Sequence, residues 1–178
     1  MADPFALLRK DHESVRQLLD ALEAGHGTGP LIDRLVIEES RHEAAEEMYL
    51  WPAVRSRAPG GTALATEAVV QERAAKRILE DLRQAAPGMP EFSSLAEAFA
   101  GAARRHMAFE EDEAWPALEQ VLGTDDRLEL GGRLMLARKA GPTRPHPHGP
   151  DSPGGLKTIG TAAAMMDKVA DTLMRRKP

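Results

Sequence analysis

Cysteine is missing from all 178 residues, which excludes disulfides, thiolate metal sites, iron–sulfur clusters and cysteine nucleophiles together. Any metal must therefore be held by nitrogen and oxygen. No apolar run approaches the ~20 residues of a membrane-spanning helix. The start, MADPFALLRK, has neither a basic n-region followed by an apolar stretch nor a cleavage site, so a soluble cytoplasmic chain without a membrane partner is expected. A surplus of basic charge is lacking too. The formal net charge is -5 and the basic cluster is confined to Arg175-Arg176-Lys177, so no nucleic-acid partner is expected for the body. Aromatic residues amount to only 4%, with one Tyr and two Trp, which makes the position of each informative. The length suits one domain with a tail.

What is present is a stretch that occurs twice. Residues 41–54 read RHEAAEEMYLWPAV and residues 105–118 read RHMAFEEDEAWPAL, a shift of 64 that leaves eight of fourteen positions identical. Each copy sets a His and a Glu four residues apart, His42/Glu46 and His106/Glu110, and closes on Trp51-Pro52-Ala53 or Trp115-Pro116-Ala117. On a helix an i, i+4 pair projects from one face, so each copy offers an imidazole nitrogen and a carboxylate to one point in space. Two such pairs point to a metal site.

The surrounding chain reads as helices. Asp3-Pro4 is an N-cap followed by proline at the first helical position, and Leu8, Val15, Leu19 and Leu22 recur at helical spacing with His12 in the stripe. Gly25, Gly27 and Gly29 end this first helix near Ala24. A second helix runs from about Pro30 to about Arg57, with Leu31, Leu35, His42, Glu46 and Tyr49 along one face and Pro52 kinking its last turns. Thr62 is placed to cap a third, whose inward positions are Ala68, Glu72, Ala75, Leu79 and Leu82, stopped by Pro87-Gly88-Met89-Pro90. Shifted by 60, HESVRQLLDAL of the first helix aligns with ERAAKRILEDL of the third, setting Glu72 against His12 and Lys76 against Arg16. The fourth helix, from about Ser93 to Leu122, carries Leu95, Phe99, Ala102, His106, Glu110 and Glu113 inward.

Joined by short Gly/Pro turns, these elements predict an all-α, up-down-up-down four-helix bundle with cofactor sites built from facing helices. Thr124-Asp125 can cap a short fifth helix through about Lys139, completing a domain over residues 1–140. Residues 141–178 are expected to be a Pro/Gly-rich strap, GPTRPHPHGPDSPGG, followed by a C-terminal helix over about 161–175.

Titratable groups are rarely placed on a stripe meant for burial, because an unpaired buried charge costs several kcal/mol. Here His12, His42, Glu46, Glu72, His106 and Glu110 all point at the bundle axis at similar depth. A lone buried His reads more readily as a hydrogen-bonded core residue, whereas six groups at one level read as ligands. Three carboxylates brought together repel, and two divalent cations are the simplest way to neutralise them.

Two alternatives stay open on the third helix. Either Glu72 faces solvent and pairs with Lys76 at i+4 while water fills the coordination position, or Arg73 is the inward residue and a second metal is disfavoured. Tyr49 and Glu113, seven residues past His42 and His106, fall on the metal face, with Tyr49 read as a core tyrosine in preference to a ligand. Glu43, Glu47, Glu111 and Asp112 are read as solvated flanks, Trp51, Trp115, Phe99 and Phe109 as a dry wall, and His146-Pro147-His148 as surface coil.

The order His, His-xxx-Glu, third-helix ligand, His-xxx-Glu, with the phrase DHESVRQLL and the doubled HxxxEE before Trp-Pro-Ala, resembles the hemerythrin-like HHE cation-binding domain over residues 5 to about 122. The resemblance implies a non-haem centre of two iron ions bridged by carboxylates and an oxo or hydroxo group. It makes His12, His42 and His106 terminal imidazole ligands and Glu46 and Glu110 bridges, although manganese or zinc would satisfy the same set. The third helix departs from the family pattern, which usually has a His where this chain has Gln71-Glu72-Arg73. The favoured reading gives Glu72 the ligand position, for three His and three Glu. An anionic oxygen ligand stabilises ferric over ferrous iron, which lowers the rank of reversible oxygen carriage.

The expected function is therefore a di-iron protein that binds or reduces a small oxidant, namely dioxygen, peroxide or nitric oxide. No residue beyond the ligands is identifiable as a general acid, so enzymatic turnover is left open, and no protein partner is implied. A different class of function is a metal- or redox-state sensor, in which occupancy or oxidation state moves the C-terminal region. A third is a metal-free bundle used structurally.

Overall fold

The structure, a computed structural model, describes residues 3–141; the strap with His146 and His148 and the helix expected over 161–175 lie outside the described residues. In chain order come α1 (Pro4–Glu23), α2 (Gly29–Ala45), a π-helical turn π1 (Glu46–Leu50), α3 (Trp51–Arg57), α4 (Gly61–Gln84), α5 (Pro90–Phe109), a second π turn π2 (Glu110–Ala114), α6 (Trp115–Glu119) and α7 (Thr124–Ala140). No strand occurs among the described residues. The junction residues of α2, π1 and α3 keep right-handed helical dihedrals, so these three form one rod, and α5, π2 and α6 form another. The rods make the expected up-down-up-down bundle: α1 packs on α2 and α5, α4 packs on α3 and α5, and α7 lies against α1 and α2. No helix is long and apolar enough to cross a membrane among the described residues.

Local chemistry explains the helix starts. Asp3 caps α1 by accepting from the Phe5 and Ala6 N–H groups, both at 3.0 Å, with Pro4 pre-set behind it. Thr62 does not cap α4. That place belongs to Gly60 at φ +67, and a Cβ on Gly61 would sit 1.9 Å from the Val54 carbonyl oxygen, so the α3–α4 corner needs two consecutive glycines.

The expected kink at Pro52 is instead a π turn just before it. Pro52 and Pro116 have no N–H to donate, and in a regular α-helix their rings would clash with the carbonyls of Met48 and Asp112. The turn widens, and the Trp51 and Trp115 N–H groups bond to the Glu46 and Glu110 carbonyls five residues back. One extra residue per turn shifts the helical phase. Trp51 and Trp115 consequently face inward, while the residues seven past each His rotate off the metal face: Glu113 is exposed and Tyr49 half-buried beneath the Arg133 guanidinium at 6.0 Å.

The core is split in two. One cluster holds Val15, Leu19, Leu35, Leu79, Leu82 and Phe99, the other Phe5, Leu8, Leu50, Trp51, Trp115 and Leu118. Between them every rod changes character at the same level: His12 follows Leu8, His42 and Glu46 precede Leu50, Glu72 precedes Ala75, and His106 and Glu110 precede Ala114. Burying one leucine contributes about 1.5–3 kcal/mol, so dry cores on both sides can carry an ionic layer that costs several kcal/mol by itself.

Candidate metal centre

All six expected ligands lie in this layer and are at most 5% exposed, with Glu46, Glu72 and Glu110 wholly buried. Their ligand atoms form two groups, each with its atoms within 4.8 Å of one another. The first is His12, His42 and Glu110; the second is Glu46, Glu72, His106 and Glu110, so Glu110 belongs to both. Glu110 Oε2 is 2.9 Å from His12 Nε2 and its Oε1 is 3.3 Å from His106 Nε2. The Nε2 atoms of His12 and His42 lie 3.2 Å apart. Glu46 Oε2 reaches back to 3.3 Å from His42 Nε2, which places it at the boundary of the two groups.

Each imidazole is oriented through its other nitrogen. His12 Nδ1 donates to Glu111 Oε1 at 2.6 Å, and Arg16 Nη2 donates to the same oxygen at 2.8 Å. His42 Nδ1 faces the buried Asp11 carboxylate at 3.5 Å, and Arg138 of α7 ion-pairs with that carboxylate. His106 Nδ1 donates to Gln71 Oε1 at 3.3 Å. A proton on Nδ1 leaves the Nε2 lone pair directed at the layer, the arrangement of a metal-ligating histidine.

These orienting residues are where the sequence reading fell short. Glu111 is half-buried on His12 rather than on a solvated flank. Glu43 is buried and Glu47 half-buried, both ion-paired with Lys76 Nζ, at 3.4 and 2.5 Å; Asp112 alone of the four is exposed. A signal for part of this was present. Glu47 and Glu111 are the second residues of the repeated Glu-Glu doublet, and their cations Lys76 and Arg16 are the pair matched by the shift of 60. Asp11, Gln71 and Arg138 carried no comparable signal.

Glu72 points inward. Its carboxylate is wholly buried and accepts a short hydrogen bond from the Trp51 indole N–H, while Lys76 is engaged by Glu43 and Glu47. A solvent-facing Glu72 and an inward Arg73 are thereby both excluded, since Glu72 is wholly buried and Arg73 only half-buried, lining a pocket with Trp51.

The electrostatics fit a cation. Burial holds the Glu46 carboxyl well above the usual carboxylate range, and the charge of Glu110 adds to the effect. Glu72 is raised in the same way by burial, against the pull of Lys76. Burial acts upward on Glu110 too, yet the charge of His106 and the close approach of His12 and His42 hold it well below its ordinary value. For His42, burial is outweighed by Glu46 and Asp11 and the ring is raised; for His106, burial wins over Glu110 and the ring is lowered. Both oxygens of Glu46, both of Glu110, Glu72 Oε2 and His106 Nε2 are buried without a hydrogen-bond partner. Buried acceptors converging without donors are costly, and a nitrogen/carboxylate set of this kind suits a first-row divalent or trivalent metal.

A bundle with overlapping His/carboxylate groups across its middle is the architecture of a helical cation-binding protein. Residues 3–118 match the hemerythrin HHE cation binding domain, and the chain belongs to that family. It is similar to an uncharacterized hemerythrin-like protein of Schizosaccharomyces pombe, 23% identical over 142 residues that cover 79% of this chain and 70% of that one. In fold it is similar to the crystal structure of a hemerythrin HHE cation binding domain-containing protein from Mycobacterium kansasii, with a TM-score of 0.68 and 20% identity over 94% of this chain and 99% of that one.

Proposed function

We propose that the chain holds two iron ions in the overlapping groups and there binds or reduces a small oxidant: dioxygen, peroxide or nitric oxide. The observation that carries this reading is Glu110, whose carboxylate belongs to both groups and has neither oxygen hydrogen-bonded. A carboxylate so placed would serve both ions, with Glu46, 3.3 Å from His42 Nε2, as the second. His12 and His42 complete one side, and Glu72 and His106 the other. Iron would supply the redox electrons and an open coordination position.

The chain's own contribution is geometric and electrostatic. Glu111, Asp11 and Gln71 fix the imidazole planes, and Trp51, Trp115 and Phe5 keep the layer dry. Three carboxylates favour the higher oxidation state, which supports reaction with an oxidant over its reversible carriage. Iron per chain with an ultraviolet–visible spectrum tests the reading. About two irons and near-ultraviolet charge-transfer bands are expected for such a set, and a reconstituted chain that takes up no metal would end it. Steady consumption of peroxide or dioxygen by the loaded protein would establish turnover.

A further inference from the structure

With every ligand at most 5% exposed, a small oxidant can reach the layer only past a wall residue. On the α3–α4 side a pocket touches this wall. Glu47 of π1, Trp51, Pro52, Arg55 and Ser56 of α3 and Val69 and Arg73 of α4 line a pocket of about 260 Å³. That is smaller than the ~300–1,000 Å³ of sites for drug-sized ligands and suits a species of a few atoms.

Trp51 is the inner wall of this pocket. It is 2% exposed, its indole N–H is bonded to Glu72 Oε1, and its ring centroid is 6.4 Å from that of His106. Trp51 thus touches the pocket and the Glu72/His106 side of the site at once. Its counterpart in the repeat is held differently. Trp115 stacks on His12 at 4.8 Å with an interplanar angle of 26°, with Phe5 at 6.3 Å and the Arg9 guanidinium at 5.6 Å, and its own N–H has no partner. Both indoles pack in the same core cluster, but Trp51 adds a polar tether to Glu72 where Trp115 adds a stack on His12.

We infer that the α3–α4 pocket is the route by which a small oxidant reaches the site, and that Trp51 is the gate, held closed by its bond to Glu72. The route rests on the dinuclear reading above and deepens it, since it delivers the oxidant to the Glu72/His106 group rather than to His12/His42. Release of the indole from Glu72 lets the ring move, so passage and ligand geometry are linked through one hydrogen bond.

Azide binding to the iron-loaded full chain, followed by stopped flow, tests this. Ser56→Trp and Val69→Trp each fill the pocket without altering a ligand, and Ser56 lies on the exposed face of α3, where the fold tolerates the change. Either variant should slow azide association and dissociation together by roughly tenfold, with Kd and iron content within about twofold of the parent, as expected when only a barrier changes. Trp51→Phe, which keeps a ring and loses the tether, should accelerate association. Parental rates in pocket-filled variants of normal iron content would overturn the route, and parental rates in Trp51→Phe would overturn the gate. An iron-loaded parent with no azide band would overturn the open coordination position and the route with it, whereas a parent that takes up no iron would overturn the metal reading itself.

Discussion

The two copies of the repeat, α2–π1–α3 and α5–π2–α6, share a backbone and differ in chemistry. Both place a π turn at the same point, at Glu46–Leu50 and Glu110–Ala114, and both swing the following Trp inward. Both pair the second Glu of the doublet with a cation on a neighbouring helix, Glu47 with Lys76 and Glu111 with Arg16. The differences come from the partners. Trp51 meets Glu72 on α4 through a hydrogen bond, and Trp115 meets His12 on α1 through a stack. His42 is oriented by an anion, Asp11, itself held by Arg138 of α7, whereas His106 is oriented by the neutral Gln71. A duplicated local code yields duplicated turns, and the surroundings of the buried His/Glu layer diverge through what adjoining helices supply.

The largest expected effect removes what the halves share. Glu110→Ala should empty both groups and abolish the metal-dependent gain in stability, about 4 kcal/mol at a thousandfold excess of metal over Kd, read by metal analysis and thermal melting. Parental metal content in this variant would break the bridge assignment.

Acidity should act next, and oppositely on the fold and on metal binding. Glu39 and Glu43 are buried, which raises their carboxyls to about 8 and about 7, with Lys76 partly offsetting burial at Glu43. Because the folded state binds these protons more tightly than the unfolded chain, the stability they contribute is present at low pH and lost as pH climbs through those values. Metal binding instead needs deprotonated ligands and strengthens with pH. The gap in Tm between loaded and metal-free protein should widen from about pH 6 to about pH 8; a constant gap would contradict the linkage.

Substitutions on one side of the comparison should act on one group. His12→Ala and Glu72→Ala are each expected to cost one metal and spare the other, and Glu72→His should make the two sides chemically alike and move the spectrum accordingly. If Glu72→Ala leaves metal content and spectrum untouched, α4 supplies no ligand. Asp11→Asn should weaken metal binding by roughly 10–100-fold through His42, and Gln71→Ala by less through His106, because only the first loses an anionic partner. Metal titration of the two variants decides, and equal losses would erase that asymmetry. Of similar size is the effect of the indole pair. In metal-free protein Trp51→Phe should cost about 1–3 kcal/mol by denaturant melting, since it strands a buried carboxylate, and Trp115→Phe should cost less because its N–H has no partner to lose.

Helical periodicity made the bundle and all six layer residues legible in advance. His42/Glu46 and His106/Glu110 needed only the i, i+4 rule, and Glu72 emerged by aligning α4 with α1, which also anticipated the kinship of Lys76 and Arg16. Tyr49 and Glu113 were misplaced because a constant period was carried through a stretch where the helix changes its period. The proline that causes the change was visible, but a proline alone does not distinguish a kink from a widened turn.

Composition and spacing thus sufficed for what depends on one helix at a time: which His and Glu side chains turn inward, and the level at which they meet. What depends on two helices at once was settled by packing. Asp11 beneath His42, Glu111 on His12, Trp51 on Glu72 and the reach of Arg138 from α7 are contacts between residues far apart in the chain, and no periodic pattern encodes them. Interhelical register and rotation fix these contacts, through the fit of the two dry cores on either side of the layer.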